Sequence, residues 1–227
     1  MRLVRRALPD LQSVCELGCG TGISAIEFAR QGLRVYAVDR SFTMLRIARQ
    51  RIRKAGVRVR LIRADMRSFR LPEAVDLISA EWGVLNHVPR PSDLILVARA
   101  VARGLRPGGY FLFDVNHRIL FEDVWITPQI YENRRLFSIS QGGWDPQRKR
   151  GWKQMTLFVP TKAGLWRRLH DGVEEVQWSI SEIRRALLRT GFDRIRAFDY
   201  EALTSAPNSS SDVRGCKTLF LARKRSA

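Results

Sequence analysis

Three glycines stand at alternate positions near the start of the chain, after a carboxylate: Glu16, then Gly18, Gly20 and Gly22. Apolar residues that could form a buried strand precede the glycines, and apolar residues at the spacing of a helix follow them. Glycine permits a sharp bend and lets a ligand lie against main-chain N–H groups, so this spacing predicts a ligand-binding turn between a strand and a helix. The carboxylate repels a pyrophosphate and suits an amino group or a sulfonium. An ordinary strand-to-helix turn stays open as the explanation of the glycines alone.

Two further carboxylates follow the next predicted strands. The strand over 34–39 ends in Asp39, and the strand over 57–64 leads to Asp65 and Met66. Ligands of doubly wound sheets lie beyond the carboxyl ends of the strands, so Asp39 is placed to accept both hydroxyls of a ribose. The Asp65 carboxylate and the N–H of Met66 could read the amine and a ring nitrogen of adenine. A helix or turn cap is the equally common alternative for Asp65.

Histidines are the natural candidates for a general base, because imidazole titrates near neutral pH. His87 follows the fourth predicted strand and His117 follows the fifth, which places both at the ligand-bearing edge of the sheet. A histidine bonded within its own loop is an equal alternative for His87, while His170 is expected at the surface. Asn86 and Asn116 could instead orient an amine by hydrogen bonds.

Several aromatic residues beyond residue 80 could form a wall for an apolar or cationic acceptor. Aromatic residues in a small sheet are more often part of its core, so both explanations stay open. The set consists of Trp82, Trp125, Tyr131, Trp144 and Trp152.

The elements that must position these residues are predicted from apolar periods and turn residues. Four strand-then-helix units in succession indicate a parallel sheet, buried on both faces and joined by right-handed crossovers. The helix over 41–55 is capped by Ser41 and turns Met44, Ala48 and Ile52 inward. The remaining predictions are strands over 74–80 and 110–115, a turn over 105–109, and helices over 21–30 and from residue 91.

Residues 118–177 change from a helical to an alternating pattern, which predicts a small antiparallel sheet of three strands inserted in the domain. A helix then begins at Ser179 with a capping box. Two final strands, over 194–201 and 217–223, flank a serine-rich loop over 204–215 that we expect to be mobile.

Length and composition fit one globular domain, or a core domain with an insertion: 227 residues, of which 45% are hydrophobic. No apolar run approaches the ~20 residues that a bilayer span needs, and the N-terminus lacks the apolar region of a signal peptide. We therefore expect a cytoplasmic protein. The three cysteines, Cys15, Cys19 and Cys216, have no metal-ligand spacing, so we predict no metal and expect reduced thiols.

The net charge of +18 is carried almost entirely by arginine. Clustered cations can neutralise the phosphates of a nucleic acid, but charge by itself argues for encounter and solubility rather than for a specific function. We therefore rank a solvated surface ahead of an RNA platform. The densest cluster is Arg46, Arg49, Arg51, Arg53, Lys54, Arg58, Arg60 and Arg63.

Taken together, the successive motifs resemble those of the class I S-adenosylmethionine-dependent methyltransferases, over residues 13–117 and again over 179–224. The resemblance implies an α/β fold with a doubly wound, seven-stranded, mostly parallel sheet of order 3-2-1-4-5-7-6, in which strand 7 is antiparallel. The segments that carry it are Glu-Leu-Gly-Cys-Gly-Thr-Gly from Glu16, Asp39 with Ser41 and Met44, Ala64-Asp65-Met66, Asp76 with the loop to Val88, and Leu-Arg-Pro-Gly-Gly before Phe-Leu-Phe-Asp.

The resemblance also implies S-adenosyl-L-methionine as cofactor, S-adenosyl-L-homocysteine as its product, and the residues that bind them. It assigns Glu16 and its glycine loop to the methionine part, Met44 to adenine, and Glu81 and Trp82 to the methionyl side. The predicted cofactor residues are Glu16, Gly18, Cys19, Gly20, Thr21, Gly22, Asp39, Arg40, Met44, Asp65, Met66, Glu81 and Trp82. The predicted catalytic residues are His117, His87 and Asn86.

The predicted domains are a methyltransferase core over 1–117 and 179–227 and an antiparallel β insertion over 118–178. The insertion is similar to that of the branch in which it covers a small-molecule acceptor, as in N-methyltransferases of amines or amino sugars. Few residues precede the first strand, where this family usually has helices over the cofactor. We therefore expect a longer natural chain, a more open site or a cover supplied by a partner.

The first hypothesis is an enzyme that transfers a methyl group to N or O of a small-molecule acceptor by in-line displacement. The second is an RNA methyltransferase that uses the arginine surface. The third is a non-catalytic module that binds the cofactor. No membrane partner is expected, and the choice between a monomer and a homodimer is left open.

Overall fold

The computed structural model describes residues 8–162, 164–200 and 215–226. The strands are β1 Ser13–Leu17, β2 Arg34–Asp39, β3 Val59–Arg63, β4 Val75–Ala80, β5 Leu105–Asn116, β6 Gln129–Asn133, β7 Leu136–Asp145, β8 Arg150–Pro160, β9 Trp166–Val176, β10 Phe192–Asp199 and β11 Lys217–Lys224. The α-helices are α1 Ile23–Arg30, α2 Phe42–Ala55, α3 Pro91–Gly104 and α4 Ile180–Leu188. A 3₁₀ helix covers Val84–His87, and a π-helical turn covers Leu120–Val124.

The chain divides into two compact units. The first consists of Met1–Val115, Ser179–Phe198 and Leu219–Ala227. The second consists of Asn116–Trp178 and Asp199–Thr218. Within the described residues, no helix combines the length and the apolar character needed to cross a membrane.

A seven-stranded sheet with the order β10-β11-β5-β4-β1-β2-β3 forms the larger sheet of the chain. The pairs β1–β2, β1–β4, β2–β3 and β4–β5 are parallel. β1 and β4 are buried along their whole length, as expected for central strands covered by helices on both faces. With β11 and β10 as strands 7 and 6, this is the predicted order, and the α/β fold prediction is confirmed.

Helix α2 carries the predicted cap, in which the N–H of Met44 donates to the Ser41 hydroxyl at 3.3 Å. Its buried side chains are those of Leu45, Ala48 and Ile52, whereas Met44 is 41% exposed. The prediction that Met44 belongs to the inward stripe is therefore wrong. A period of 3.6 residues brings both Met44 and Leu45 near the same face, and Leu45 takes the inner position.

Residues 105–109, predicted as a turn before the fifth strand, belong to β5 instead. The pairing of β5 with β4 shifts its register between Val75 and Leu77. Gly108 has a φ of 75° within this segment. The proline and glycines therefore produce an irregular beginning of the strand rather than a separate turn.

The second unit contains an antiparallel sheet with the order β6-β7-β8-β9. The sequence predicts three strands here, and β6 was missed because its five residues are all exposed and mostly polar. Of the serine-rich loop predicted over 204–215, only Gly215 lies within the described residues. Helix α4 begins with the predicted capping box of Ser179 and Glu182.

Candidate functional site

The glycine loop between β1 and α1 consists of three left-handed residues, since Gly18, Gly20 and Gly22 have φ values of 65°, 51° and 77°. A Cβ added to Gly18 would lie 2.7 Å from Cγ2 of Val84, so a larger residue has no room there. A Cβ on Gly20 would meet no atom within 4 Å. Glycine is therefore needed for packing at Gly18, whereas the space beside Gly20 is open to a ligand.

Two other loop residues tie the turn to its surroundings. The N–H of Cys19 donates to the carbonyl of Val38 at 3.1 Å, which joins the loop to the end of β2. The hydroxyl of Thr21 accepts a bond of 2.6 Å from Arg51 of α2. The loop is thus held by β2 and by α2.

Asp39 ends β2 with both of its carboxylate oxygens already oriented. Oδ2 accepts the N–H of Gly20 at 2.8 Å, and Oδ1 accepts the N–H of Ser41 at 2.8 Å. An ionised carboxylate has about four lone-pair sites, so acceptor capacity is left for a ligand that donates hydroxyl groups. Arg40, the next residue, is exposed, and its carbonyl accepts a bond from Arg63.

Glu16 is the buried acid of the site, with only 7% of its surface exposed. Burial, helped by the charges of Glu81 and Asp39, raises the pKa of this carboxyl to about 7, while hydrogen bonds from Ser24 and from the N–H of Ala25 oppose the shift. The three carboxylates are therefore close enough to interact. Oε2 of Glu16 is buried and has no hydrogen-bond partner among the described residues, so it can accept a donor from a ligand.

The segment after β4 holds Glu81 and Trp82 in an unusual conformation. Trp82 has a φ of 70° and is 71% exposed, and Gly83 follows it with a φ of 71°. Burial, together with the charge of Asp114, raises the pKa of the Glu81 carboxyl. A left-handed tryptophan costs on the order of 1 kcal/mol, and such strain concentrates at functional sites.

Asp114 fixes this segment, because its Oδ1 accepts the N–H of Gly83 at 2.9 Å. Its side chain is 1% exposed at the end of β5. Asp114 is not among the site residues predicted from the sequence. The signal was present, since Asp114 is a carboxylate that follows three apolar residues near the carboxyl end of a parallel strand.

The Asp65 carboxylate is hydrogen-bonded to Arg67, two residues further along the chain. Its Oδ1 accepts the backbone N–H and Nε of Arg67 at 2.8 and 2.9 Å, and its Oδ2 accepts Nη2 at 2.6 Å. These bonds lower the pKa of the Asp65 carboxyl. The geometry is that of the turn cap that the sequence left open, and Met66 lies half-buried inside this turn. Contact of Asp65 and Met66 with adenine stays a prediction.

The predicted catalytic residues have different environments. Asn86 is fully buried in the 3₁₀ helix of the first unit, and the adjoining His87 is exposed. In the second unit His117 is half-buried, with Nε2 2.6 Å from the hydroxyl of Thr218. Burial lowers the pKa of His117, which favours a neutral imidazole at pH 7.

Two further polar candidates lie in the second unit. The amide of Asn116 donates to Oε2 of Glu175 at 2.6 Å, and both side chains are buried. His170 is exposed on β9 and lies 3.1 Å from the Thr156 hydroxyl. Thus the Asn116 amide has a protein partner, and the His170 side chain lies at the surface of its unit.

Two of the predicted wall aromatics, Trp125 and Trp144, are packed inside the second unit. The Phe121 ring stacks on Trp144 at 5.6 Å and meets Trp125 edge-on at 4.9 Å. Trp125 is 8% exposed, whereas Tyr131 is 56% exposed. This arrangement corresponds to the core explanation for Trp125 and Trp144.

Comparison with known proteins finds similar sequences over the first part of the chain. Residues 14–109 match the model of a methyltransferase domain family, which covers the glycine loop, Asp39 and the segment after β4. The ubiquinone biosynthesis O-methyltransferase of Serratia proteamaculans is 29% identical over 136 residues, which are 59% of this chain and 54% of that protein. The chain thus spans about half the length of the curated relatives it matches.

Solved structures share the fold over almost the whole chain. A methyltransferase from Clostridium acetobutylicum, described as S-adenosylmethionine-dependent, has a TM-score of 0.82 at 21% identity and covers 99% of this chain and 89% of its own. A sugar N-methyltransferase from a Streptoalloteichus species has a TM-score of 0.81 at 20% identity, covering 99% and 85%. Residues 14–109 thus match a methyltransferase domain, and the chain has the fold of a solved structure described as an S-adenosylmethionine-dependent methyltransferase.

Proposed function

We propose that the chain binds S-adenosylmethionine at the glycine loop and transfers its methyl group to N or O of a small-molecule acceptor. One observation carries the proposal: the loop N–H of Gly20 and the carboxylate of Asp39 are hydrogen-bonded at 2.8 Å beside open space. This pair offers a fixed acceptor for ribose hydroxyls next to a backbone that a ligand can approach closely.

The charges of the site fit the chemistry of that cofactor. Its sulfonium and amino group are cationic, and the buried acid before the glycine loop, Glu16, has a carboxylate oxygen without a partner among the described residues. Glu81 supplies a second carboxyl in the same electrostatic neighbourhood. A buried, unpaired acceptor is costly, so binding of a cationic donor at Oε2 of Glu16 would relieve that cost.

The chain's own contribution to catalysis is mainly positional. When bound, S-adenosylmethionine supplies a methyl group that is already electrophilic because it is carried by a sulfonium. Orientation of the reactants can then contribute about 7 to 11 kcal/mol of the barrier reduction. Glu16 and Asp39 would hold the cofactor, and the segment fixed by Asp114 would bound the methionyl side.

His117 is the residue that we propose for proton removal from the acceptor. Its imidazole is kept neutral by burial, and a neutral imidazole can accept a proton. Asn86 is proposed as an orienting group, and His87 is the alternative candidate for the general base. Coverage of the acceptor by the four-stranded unit stays a prediction.

The names of the relatives support a small-molecule acceptor that is methylated at either oxygen or nitrogen. The matched curated proteins are O-methyltransferases of ubiquinone biosynthesis, and one similar structure is a sugar N-methyltransferase. These names describe those proteins, and the shared feature is a small molecule with a nucleophilic oxygen or nitrogen. We therefore propose this acceptor class and not a particular compound.

The test combines calorimetry with a transfer assay. We expect the chain to bind S-adenosylmethionine and S-adenosylhomocysteine, and the Asp39→Ala variant to bind both much more weakly. Methyl incorporation is then measured with panels of amines, amino sugars and phenols, and with RNA as a separate arm. Incorporation only into RNA would contradict the small-molecule proposal, and binding without turnover on any acceptor would indicate a non-catalytic module.

A further inference from the structure

The basic strip on α2 and β3 is the densest cluster of cations in the sequence. Between residues 40 and 64 the sequence has no aspartate or glutamate, although the whole chain has 22. All members of the strip are exposed. We define the basic strip as Arg46, Arg49, Arg51, Arg53, Lys54, Arg58, Arg60 and Arg63.

Several arginines outside the strip pair with acids. Arg106 contacts Asp76 at 2.9 Å, Arg223 contacts Asp193 at 2.9 Å, and similar pairs form around Glu73, Glu122 and Glu174. Within the described part of the chain, no member of the strip forms a salt bridge with a carboxylate. The cations of the strip are therefore available to a polyanionic ligand.

The strip lies on rigid elements whose apolar side is already used. Ala48 and Ile52 of α2 pack in one core cluster with Val59 and Leu61 of β3, which leaves the opposite side of the helix to the cations. Helix α2 has 14 residues and is therefore about 21 Å long. Since its apolar face is buried, the helix cannot insert that face into a lipid surface.

An exposed aromatic residue stands at one end of the strip. Phe42, the first residue of α2, is 61% exposed, and the guanidinium of Arg63 lies 5.8 Å from its ring centroid. Aromatic rings beside cations bind single-stranded nucleic acids, because unstacked bases stack on the ring while cations follow the phosphates. A duplex offers no free base faces, and an acidic protein offers no bases at all.

We propose that the basic strip binds the phosphate backbone of single-stranded RNA, with Phe42 stacking on a base. Seven of the eight cations are arginines, whose guanidinium matches phosphate oxygens in a bidentate manner. Binding would be independent of sequence, because the strip presents charge and one ring rather than a hydrogen-bond pattern for bases. The inference goes beyond the proposed methyl transfer and uses none of the proposed cofactor residues.

The test measures fluorescence anisotropy of a labelled, mixed-sequence, single-stranded RNA at several salt concentrations. The variant replaces three exposed arginines of α2 together, Arg46→Gln, Arg49→Gln and Arg53→Gln. We expect an affinity about tenfold lower at physiological salt and a salt slope smaller by about 2. The matched control makes the same charge change at exposed positions on α4 and directly after it, with Arg184→Gln, Arg185→Gln and Arg189→Gln, and should bind RNA almost as well as the parent.

A second variant separates base stacking from charge. Phe42→Ala should lower the affinity for single-stranded RNA about fivefold and leave the affinity for duplex RNA unchanged. The proposal is wrong if both triple variants weaken binding equally, if the parent does not bind RNA at physiological salt, or if anionic vesicles bind through the same three arginines. Calorimetry with S-adenosylhomocysteine on each variant keeps a loss of RNA binding distinct from a failure of the cofactor site.

Discussion

The backbone N–H of Gly20 donates a hydrogen bond of 2.8 Å to Oδ2 of Asp39, across a separation of 19 residues. This bond joins the turn after β1 to the end of β2. Both lie at the edge of the sheet formed by the carboxyl ends of the parallel strands, where ligands of such sheets bind. The N–H of Ser41 holds the second oxygen. Asp39 therefore has one orientation before any ligand arrives, which reduces the entropy lost on binding.

Asp39→Asn should weaken binding of S-adenosylhomocysteine by about 10- to 100-fold, because an amide has a single acceptor oxygen and no charge. Isothermal titration calorimetry measures this change directly. Asp193→Asn provides the control, since Asp193 pairs with Arg223 at the surface and has no proposed ligand. An unchanged affinity in Asp39→Asn would remove Asp39 from the cofactor site.

Cofactor binding should depend on the protonation of Glu16. Burial raises the pKa of this carboxyl to about 7, so the free protein increasingly holds it neutral below that pH. A neutral carboxyl loses its attraction for a cationic ligand, and affinity for S-adenosylmethionine should fall up to about tenfold per pH unit below pH 7. Glu16→Gln should bind weakly and show a flatter pH profile. A parent profile that stays flat from pH 5 to 8 would contradict this assignment.

The same carboxyl should affect folding stability in the opposite sense. The folded pKa is raised from 4.5 to about 7, so the stabilising contribution of the neutral form is fully present below pH 4.5 and is lost as the pH rises through 7. At pH 8 the ligand-free Glu16→Gln variant should therefore be more stable than the parent, on the order of 2 kcal/mol. Urea denaturation at pH 5 and pH 8 tests this, and a smaller difference at pH 5 is required.

Two alanine substitutions in the glycine loop should have different consequences. Gly18→Ala places a Cβ 2.7 Å from Val84 at a φ of 65°, and should destabilise the fold by about 2 to 4 kcal/mol. Gly20→Ala meets no protein atom and should cost only about 1 kcal/mol, while it weakens cofactor binding by filling the open space. Denaturation and calorimetry on the same samples separate the two effects, and equal stability losses would show that the space beside Gly20 is not open.

His117→Ala should lower kcat by about two orders of magnitude or more with the best acceptor found, because a general base contributes about 10²- to 10⁴-fold. Thr218→Val keeps the imidazole and removes the hydroxyl that lies 2.6 Å from Nε2, so it should change the pH profile more than the maximal rate. His87→Ala should retain most of the activity. If His117→Ala keeps the parent's kcat and pH profile, this histidine is structural.

The identity of the polar residues at the site, and the order in which they occur, were determined by the sequence. Glu16, the three glycines and Asp39 are predictable because a parallel sheet brings the carboxyl ends of its strands to one edge, whatever the lengths of the connecting helices. The capping box at Ser179 and the αL glycine after α2 are equally local, because each depends on residues within one turn of a helix.

Contacts between residues far apart in the chain were decided only by the tertiary structure. The Gly83–Asp114 bond spans 31 residues, and the contact that demands glycine at Gly18 comes from Val84. No local pattern encodes such pairs, because they depend on how two strands are placed in register. The choice of Leu45 over Met44 for the buried face of α2 was settled in the same way, by packing.

The basic strip depends partly on the sequence alone and partly on the tertiary structure. The sequence determined that residues 40–64 carry cations and no acids. Only the folded chain decided that these cations are exposed and form no salt bridge among the described residues, whereas Arg106 reaches the distant Asp76. The physical reason is that ion pairing acts through space over a few ångströms, so composition fixes the charges but packing determines which of them are neutralised.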